Sequence, residues 1–320
     1  MQTQRILITG ALGQIGSELA EKLVKIHGKE NVIVTDIKPK AEVTTPAIYE
    51  ELNVLDAEKI QSLVAEYQIT TVYHLAALLS GTAEKNPLFA WKLNMDSLLT
   101  FLELAKDKKI NQLFWPSSIG VFGPATPKEN TPQETIQIPT TVYGISKLSG
   151  EHWCNYYHLK YGVDVRSVRF PGLISWKTPA GGGTTDYAVD IFYKAIEEGK
   201  YTSFLNKGTY LPMLYMNDAI DAILQLMNAP AEKLSVRTSY NLGGLSFDPE
   251  GLSQEITKHI PDFKLDYSPD FRQAIADSWP SSIDDTEARN DWGYQPKFDL
   301  ADMTQAMLEN LKEKLAVKNA

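Results

Sequence analysis

Apolar positions in the first half of the chain follow two alternating rhythms. Short β-branched runs, "RILIT", "NVIVTD", "TVYHLAA", "QLFWPSS" and "DVRSVRF", have the length and residue types of buried strands. Between them, apolar residues recur at steps of three and four in "QIGSELAEKLVKIHG", "DAEKIQSLVAEYQ" and "NPLFAWKLNMDSLLTFLELAKDKK". That spacing predicts amphipathic helices, the first closed by Gly28, and a further helix is predicted around Tyr143. Strands alternating with helices imply βαβ units and an α/β fold: a doubly wound parallel sheet covered on both faces. Such sheets take ligands beyond the carboxyl ends of their strands, near the point where strand order reverses.

Beyond about residue 171 the pattern changes. "SWKTPAGGGTTDY" is rich in Gly, Thr and Pro, and strands become sparse. "MNDAIDAILQLMNAP" predicts a helix that starts at an Asn/Asp cap and stops before Pro230, and "SYNLGG" predicts one more short strand. Two units are expected. Residues 1–170 form the sheet domain, and residues 171–320 form a smaller, mostly helical lobe with segments around 211–245 returning to the large domain. No internal repeat or low-complexity tract breaks this plan.

Composition narrows the function classes. The chain has 320 residues, 43% hydrophobic and 22% charged, with a net charge of −9. An anionic surface is a poor match for nucleic acid or for an anionic membrane. No apolar run reaches the roughly 18 to 20 residues of a membrane span. "RILITG" follows so soon after Met1 that no leader is expected, and a cytoplasmic location is. The single cysteine, Cys154, permits neither an intrachain disulfide nor a cysteine zinc site, and its helical surroundings predict a packed thiol. The five histidines show no HxxxH or HxH spacing, so no metal is expected.

Candidate chemistry sits at the ends of the predicted strands. "ITGALGQIG" places Gly10, Gly13 and Gly16, with Gln14 and Ile15, between the first strand and the first helix. Glycines there allow a tight turn, close approach to a pyrophosphate and tight helix–sheet packing, while the helix start offers free N–H groups. Asp36 ends the second strand, where a carboxylate accepts hydrogen bonds from ribose hydroxyls and repels a 2′-phosphate. This favours NAD, although Lys38 and Lys40, just past Ile37, keep NADP open. Val54 and Leu55 in "LNVLD" are candidates for an adenine pocket. In "HLAALLSG", Leu75, Ala76 and Ala77 leave room for a cofactor to pass, His74 reads as packed, and Ser80 lies past the strand end. "WPSSIGVFG" puts Ser117 and Ser118 at the end of the fifth strand. Downstream, "TTVYGISKLSGE" sets Tyr143 and Lys147 four apart, on one helix face. In isolation that pair is as compatible with one aromatic and one charge among many.

Taken together, these motifs resemble the extended short-chain dehydrogenase/reductase superfamily, whose members share the Rossmann fold. The likeness matches the serine three before Val121 to the family's catalytic Ser or Thr, which selects Ser118 and implies a Ser118–Tyr143–Lys147 catalytic set. "RFPGLI" resembles the segment whose backbone meets the nicotinamide carboxamide, around Pro171 to Leu173. "GGGTTDYAVDIFYKA" and "DSWPSSIDDTEARNDWGY" look like the substrate lobe of epimerase-like, NAD-dependent L-threonine 3-dehydrogenases. That resemblance implies oxidation of the β-hydroxyl of L-threonine to 2-amino-3-oxobutanoate. Ser80, Thr185 and the Trp279 indole, with Ser118 and Tyr143, would frame the substrate. Asp186 would meet its ammonium or start a helix, and glycines 181–183 form a linker or a lid hinge. It also implies a homodimer formed through segments 90–107 and 146–161, with Trp153, Tyr156 and Tyr157 either as contacts or as core residues. Two other classes share the first half: a nucleotide-sugar epimerase or dehydratase, and a non-catalytic NAD sensor.

Free tyrosine has a pKa near 10, and an ammonium about 4 Å away at an effective dielectric near 20 stabilises a phenolate by roughly 4 kcal/mol. On that ground Tyr143 is expected to ionise near neutral or mildly alkaline pH, unless burial opposes it.

Overall fold

The computed structural model describes residues 4–179 and 181–319. The first eight strands are β1 (Ile6–Thr9), β2 (Val32–Asp36), β3 (Ile48–Glu51), β4 (Thr71–His74), β5 (Gln112–Phe114), β6 (Ser117–Ser118), β7 (Asp164–Arg166) and β8 (Val168–Phe170). Six of them form one parallel sheet in the order β3-β2-β1-β4-β5-β7. Strand order reverses at β1, and Thr9 lies level with Thr35 on one side and His74 on the other. The chain leaves the sheet there with three strand ends side by side.

Helices α1 (Gln14–His27), α2 (Ala57–Glu66), α3 (Ser80–Ala83), α4 (Pro87–Lys106) and α5 (Val142–Tyr161) connect these strands. The pleat sends alternate side chains to opposite faces. Leu7, Ile33 and Val72 meet Leu63 of α2, Phe101 of α4 and Cys154 of α5, all buried. On the other face Ile6, Ile8, Val32 and Val34 meet Leu19 and Leu23 of α1.

"QLFWPSS" and "DVRSVRF", each expected as one strand, are both divided. Pro116 has no N–H for the ladder, so β5 ends at Phe114 and β6 resumes beside β8 in a second sheet, β12-β8-β6, with β12 at Tyr240–Asn241. This step carries Ser117 and Ser118 out of the main sheet and toward α5.

The remaining strands are β9 (Gly172–Ile174), β10 (Lys200–Ser203), β11 (Leu211–Tyr215), β12 (Tyr240–Asn241), β13 (Leu245–Phe247) and β14 (Lys264–Tyr267). Apart from β12 they were not visible in the apolar pattern. They are short, β10 and β14 alternate with exposed polar residues, and β11 contains Pro212. Helices α6 (Tyr187–Glu198), α7 (Met216–Asn228), α8 (Pro249–Thr257), α9 (Arg272–Ala276), α10 (Thr286–Trp292) and α11 (Leu300–Asn319) complete the chain. Ile191 and Phe192 of α6, Leu252 of α8 and Met303 of α11 share a separate core. Helix α7 instead joins α1 on the main sheet through Ile220, Ile223 and Leu226. Its expected Asn/Asp cap is not formed. Tyr215 precedes the helix, and the Asp218 carboxylate accepts from the backbone N–H groups of Lys297 and Phe298 at 3.0 and 3.1 Å. Among the described residues no helix is long and apolar enough to cross a membrane.

Candidate active site

At the reversal point, Gly10 has a positive φ of 66°, and a Cβ there would lie 2.7 Å from the Ala76 backbone nitrogen. A Cβ on Gly16 would lie 2.4 Å from the Gly10 carbonyl oxygen. Any side chain at either position would push α1 away from the strand ends. Helix α1 begins at Gly13 with no side-chain cap and no acidic residue in its first turn. Its first N–H groups are therefore available to an anion. Across the turn, the two oxygens of Asp36 accept from Leu12 N at 3.2 Å and Ile37 N at 2.8 Å. An uncapped helix start beside a braced carboxylate suits a pyrophosphate flanked by a ribose.

The second group of residues lies where β6 meets α5. Thr141 caps α5, its hydroxyl accepting from Gly144 N at 3.0 Å. Tyr143 and Lys147 follow on the buried face, 9% and 2% exposed. The Lys147 ammonium donates to the Pro116 carbonyl at 2.7 Å and stands 5.5 Å from the centre of the Tyr143 ring and 4.5 Å from that of Trp115. The Ser118 hydroxyl accepts from Gly120 N at 3.1 Å, and its side chain favours the ionised form of the Tyr143 phenol. The ionisation differs from the expectation based on charge alone. Burial pushes Tyr143 up to about 12, against the lowering effect of Ser118. Burial also pulls Lys147 down to about 7. Desolvation dominates at both positions because both side chains are buried.

His74 is packed, as its sequence context implied. Its ring nitrogens lie 2.7 Å from the Thr9 hydroxyl and 2.8 Å from that of Ser97, and burial lowers its pKa to about 3. It is a neutral brace between β1 and α4.

The segment after β9 crosses the cleft as a strap. Its near end is fastened to α1: Ser175 donates to Glu18 at 2.5 Å, and Lys177 pairs with Glu21 at 2.5 Å. Its far end reaches α3, where a Cβ on Gly81 would lie 2.6 Å from the Gly182 carbonyl oxygen. Asp186 accepts from Gly182 N and Gly183 N, both at 2.6 Å, and makes no cap bond to α6. Its carboxylate holds the glycine run in place.

A single cleft of about 480 Å³ joins these parts. Its walls include Gly10, Gly13, Gln14, Ile15, Gly16, Asp36, Ile37, Val54, Leu75, Ala76 and Ala77 from the cofactor candidates, and Pro171 and Leu173 from β9 and its approach. Ser80, Ser118, Tyr143, Lys147, Thr185 and Trp279 line the same space. Two candidates do not. Lys38 is exposed, and its carbonyl is engaged by the Tyr49 hydroxyl at 2.6 Å. Leu55 is carried off by a turn in which its N–H donates to the Asn53 side chain at 3.0 Å, leaving Leu52 and Asn53 beside Val54. The sequence reading missed Thr178 and Pro179, which lie on a segment without periodicity and close the wall next to Gln14. Of the three aromatics left open between interface and core, Tyr157 is buried in the core, its hydroxyl bonded to Glu103 of α4, while Trp153 and Tyr156 are exposed.

Comparison with known proteins adds an independent line. The sequence matches the NAD dependent epimerase/dehydratase family over residues 6–243. An uncharacterized epimerase/dehydratase of Staphylococcus aureus is 53% identical over 320 residues, covering 99% of each chain. Among solved structures, a GalE-like L-threonine dehydrogenase from Cupriavidus necator in its holo form superposes with a TM-score of 0.94 at 54% identity, covering 96% of this chain and 99% of that one. A monomeric L-threonine 3-dehydrogenase of metagenomic origin superposes at 0.93 with 48% identity, covering 97% and 99%. The glycine turn, the strand-end Asp36 and these matches converge: the chain is an oxidoreductase of the NAD-dependent epimerase/dehydratase family, and NAD is its cofactor.

Proposed function

We propose that the protein oxidises the β-hydroxyl of L-threonine to 2-amino-3-oxobutanoate. The observation that carries this reading is that Ser118, Tyr143 and Lys147 share one cleft with Ser80, Thr185 and Trp279, under a strap that reaches from α1 to Gly81. A space closed in this way suits a small amino acid better than a nucleotide sugar. The similarity to L-threonine dehydrogenases points the same way.

In this reading, residues 1–170 bind NAD and residues 171–320 supply the substrate side. The free N–H groups of Gln14, Ile15 and Gly16 hold the pyrophosphate, Asp36 the adenosine ribose, and Lys147 the nicotinamide ribose. Bound NAD supplies the hydride acceptor and a positive charge beside the phenol. Ser118 orients the reacting oxygen, and Tyr143 takes its proton as general base. Lys147 lowers the cost of the phenolate. Ser80, Thr185 and the Trp279 indole frame the carboxylate and ammonium. The protein works as a cytoplasmic homodimer through the exposed faces of α4 and α5.

The test is initial NADH production from L-threonine, L-allo-threonine, L-serine and a UDP-hexose. Three fixed groups define a chiral pocket, so L-threonine should be oxidised and its 3-epimer left untouched. L-Serine lacks one methyl, worth about 1 to 3 kcal/mol in an apolar pocket, and should be a poor substrate. A UDP-hexose converted without net NADH, with L-threonine left unoxidised, would establish the epimerase or dehydratase reading, and equal rates for the two threonine epimers would remove the proposed anchoring.

A further inference from the structure

One turn beyond Lys147 on the same face of α5 lies Glu151, a carboxylate only 1% exposed. It is tightly held. Arg169 of β8 binds it through both oxygens, Nε to Oε1 at 2.9 Å and a terminal nitrogen to Oε2 at 2.8 Å. Ser117 donates to Oε1 at 2.5 Å. Arg169 is itself fixed by the Gln133 carbonyl at 2.9 Å and the Asn241 side chain at 3.0 Å. Burying an ion pair usually contributes little net stability, because desolvation offsets the attraction. A carboxylate this deeply buried beside a buried lysine calls for a reason beyond holding the fold.

The surroundings of Lys147 supply one. Deprived of water, its ammonium needs a counter-charge. Its own helix offers Tyr143, Glu151 and Cys154, β4 offers His74, and β8 offers Arg169. Burial raises the Tyr143 phenol and the Cys154 thiol, so both are neutral at ordinary pH, and His74 is held neutral from the other direction. Arg169 is positive. Cys154 and then Glu151 act to raise the lysine against the dominant effect of burial; with the Cys154 thiol held protonated, Glu151 is the one group in this set that brings full negative charge at ordinary pH.

We propose that Glu151 is a positioning residue for this site, acting through Lys147: clamped by Arg169 and Ser117, it keeps the lysine an ammonium beside Tyr143. The inference rests on the reading of Lys147 as the partner of Tyr143. Its clamp has a further effect, because the bond to Ser117 braces the same short strand that presents the Pro116 carbonyl and the Ser118 hydroxyl.

The test titrates the Lys147 ε-carbon by NMR in protein labelled with ε-¹³C-lysine, the signal assigned through Lys147→Arg. The unmodified protein is compared with Glu151→Asp, Glu151→Gln and the double variant Glu151→Gln/Arg169→Gln. An opposite charge within a few ångströms shifts a pKa by about 1 to 3 units. The midpoint should therefore fall by about one pH unit in Glu151→Gln, fall by less in the double variant, which also loses the opposing guanidinium charge, and stay near the original in Glu151→Asp. The alkaline limb of kcat should move down by the same amount. The double variant leaves no unpaired guanidinium in the core, and so decides the matter where the single Gln variant does not fold. The titration needs no substrate: a chain that leaves L-threonine unoxidised refutes the proposed reaction, while the midpoints still judge Glu151. Unchanged midpoints in the neutral variants, whatever happens to melting temperature or overall rate, would overturn the proposal and leave the Glu151–Arg169 pair a structural tie.

Discussion

The two faces of α5 invert the usual arrangement. Its inward face carries Tyr143, Lys147 and Glu151, all buried, and its outward face carries Ile145, Trp153, Tyr156 and Leu159, all exposed. Leu159 is 75% exposed, while the Lys147 side chain is sealed. On an ordinary surface helix the charges would face water and the large apolar groups the core. The exposed set continues onto α4, with Leu88, Phe89 and Trp91. A clustered apolar surface of this kind marks a place where something else packs. Polarity follows burial only where packing alone sets the sequence. On α5, the buried face presents polar groups to the cleft and the exposed face carries the large apolar ones.

The largest expected effect lies on the inward face. Tyr143→Phe should lower turnover about 100- to 10,000-fold while NAD affinity, read by titration, stays nearly unchanged. Near-normal rates in the purified variant would return Tyr143 to the status of a core aromatic. On the outward face Trp153→Glu should weaken self-association by about 100-fold or more, as loss of an interface hot spot does. Sedimentation at several concentrations reads this, and a chain that is monomeric before mutation would assign the exposed face to another partner. The next contrast is between neighbours. A Cβ on Gly144 would lie 2.1 Å from the Gly120 carbonyl oxygen and 2.7 Å from Pro139 Cβ, whereas Ile145 is 45% exposed. Gly144→Ala should cost about 1 to 3 kcal/mol in urea unfolding, and Ile145→Ala within about 0.5 kcal/mol at monomer concentrations. Equal costs would erase the distinction between the faces.

The smallest effect is in alkaline stability. Tyr143 holds its proton to about 12 in the folded chain, against an ordinary value of 10. Its contribution is fully present below pH 10 and is lost as pH rises toward 12, because the unfolded chain releases the proton first. Tyr67 and Tyr215, also raised to about 12 by burial, act in the same sense. Urea midpoints should decline over that window, and Tyr143→Phe should decline less steeply. Parallel slopes would show that the phenol is not sealed.

Much of this was legible in the sequence, for identifiable reasons. The main sheet and the helices covering it announce themselves because β1, β2 and β4 are buried runs and α1 and α2 have a clean apolar stripe. The glycine turn was legible because only glycine fits at Gly10 and Gly16. Helix α5 was located by its motif, since its apolar residues lie on both sides. The break at Pro116 was hidden because the residues on either side are equally suited to strands, and only the change of partner divides them. The Glu151–Arg169 pair was illegible, because its members lie on different elements and charged residues normally signal exposure. Lys38 and Leu55 fall outside the cleft lining because strand-end position does not fix which way a turn points.

The joint covering of the main sheet by α1 and α7 has a consequence for the order in which the protein is made. A ribosome releases all six strands of that sheet by Arg166, yet Ile220, Ile223 and Leu226, which cover Ile6, Ile8, Val32 and Val34 together with α1, arrive only with α7. Until then the nascent chain displays an apolar sheet face to solvent or to a chaperone. A gene cut after Phe170 should yield an aggregating product rather than a free-standing nucleotide-binding module. The intact chain should melt in one calorimetric transition, its first and second halves being translated in sequence but folded together.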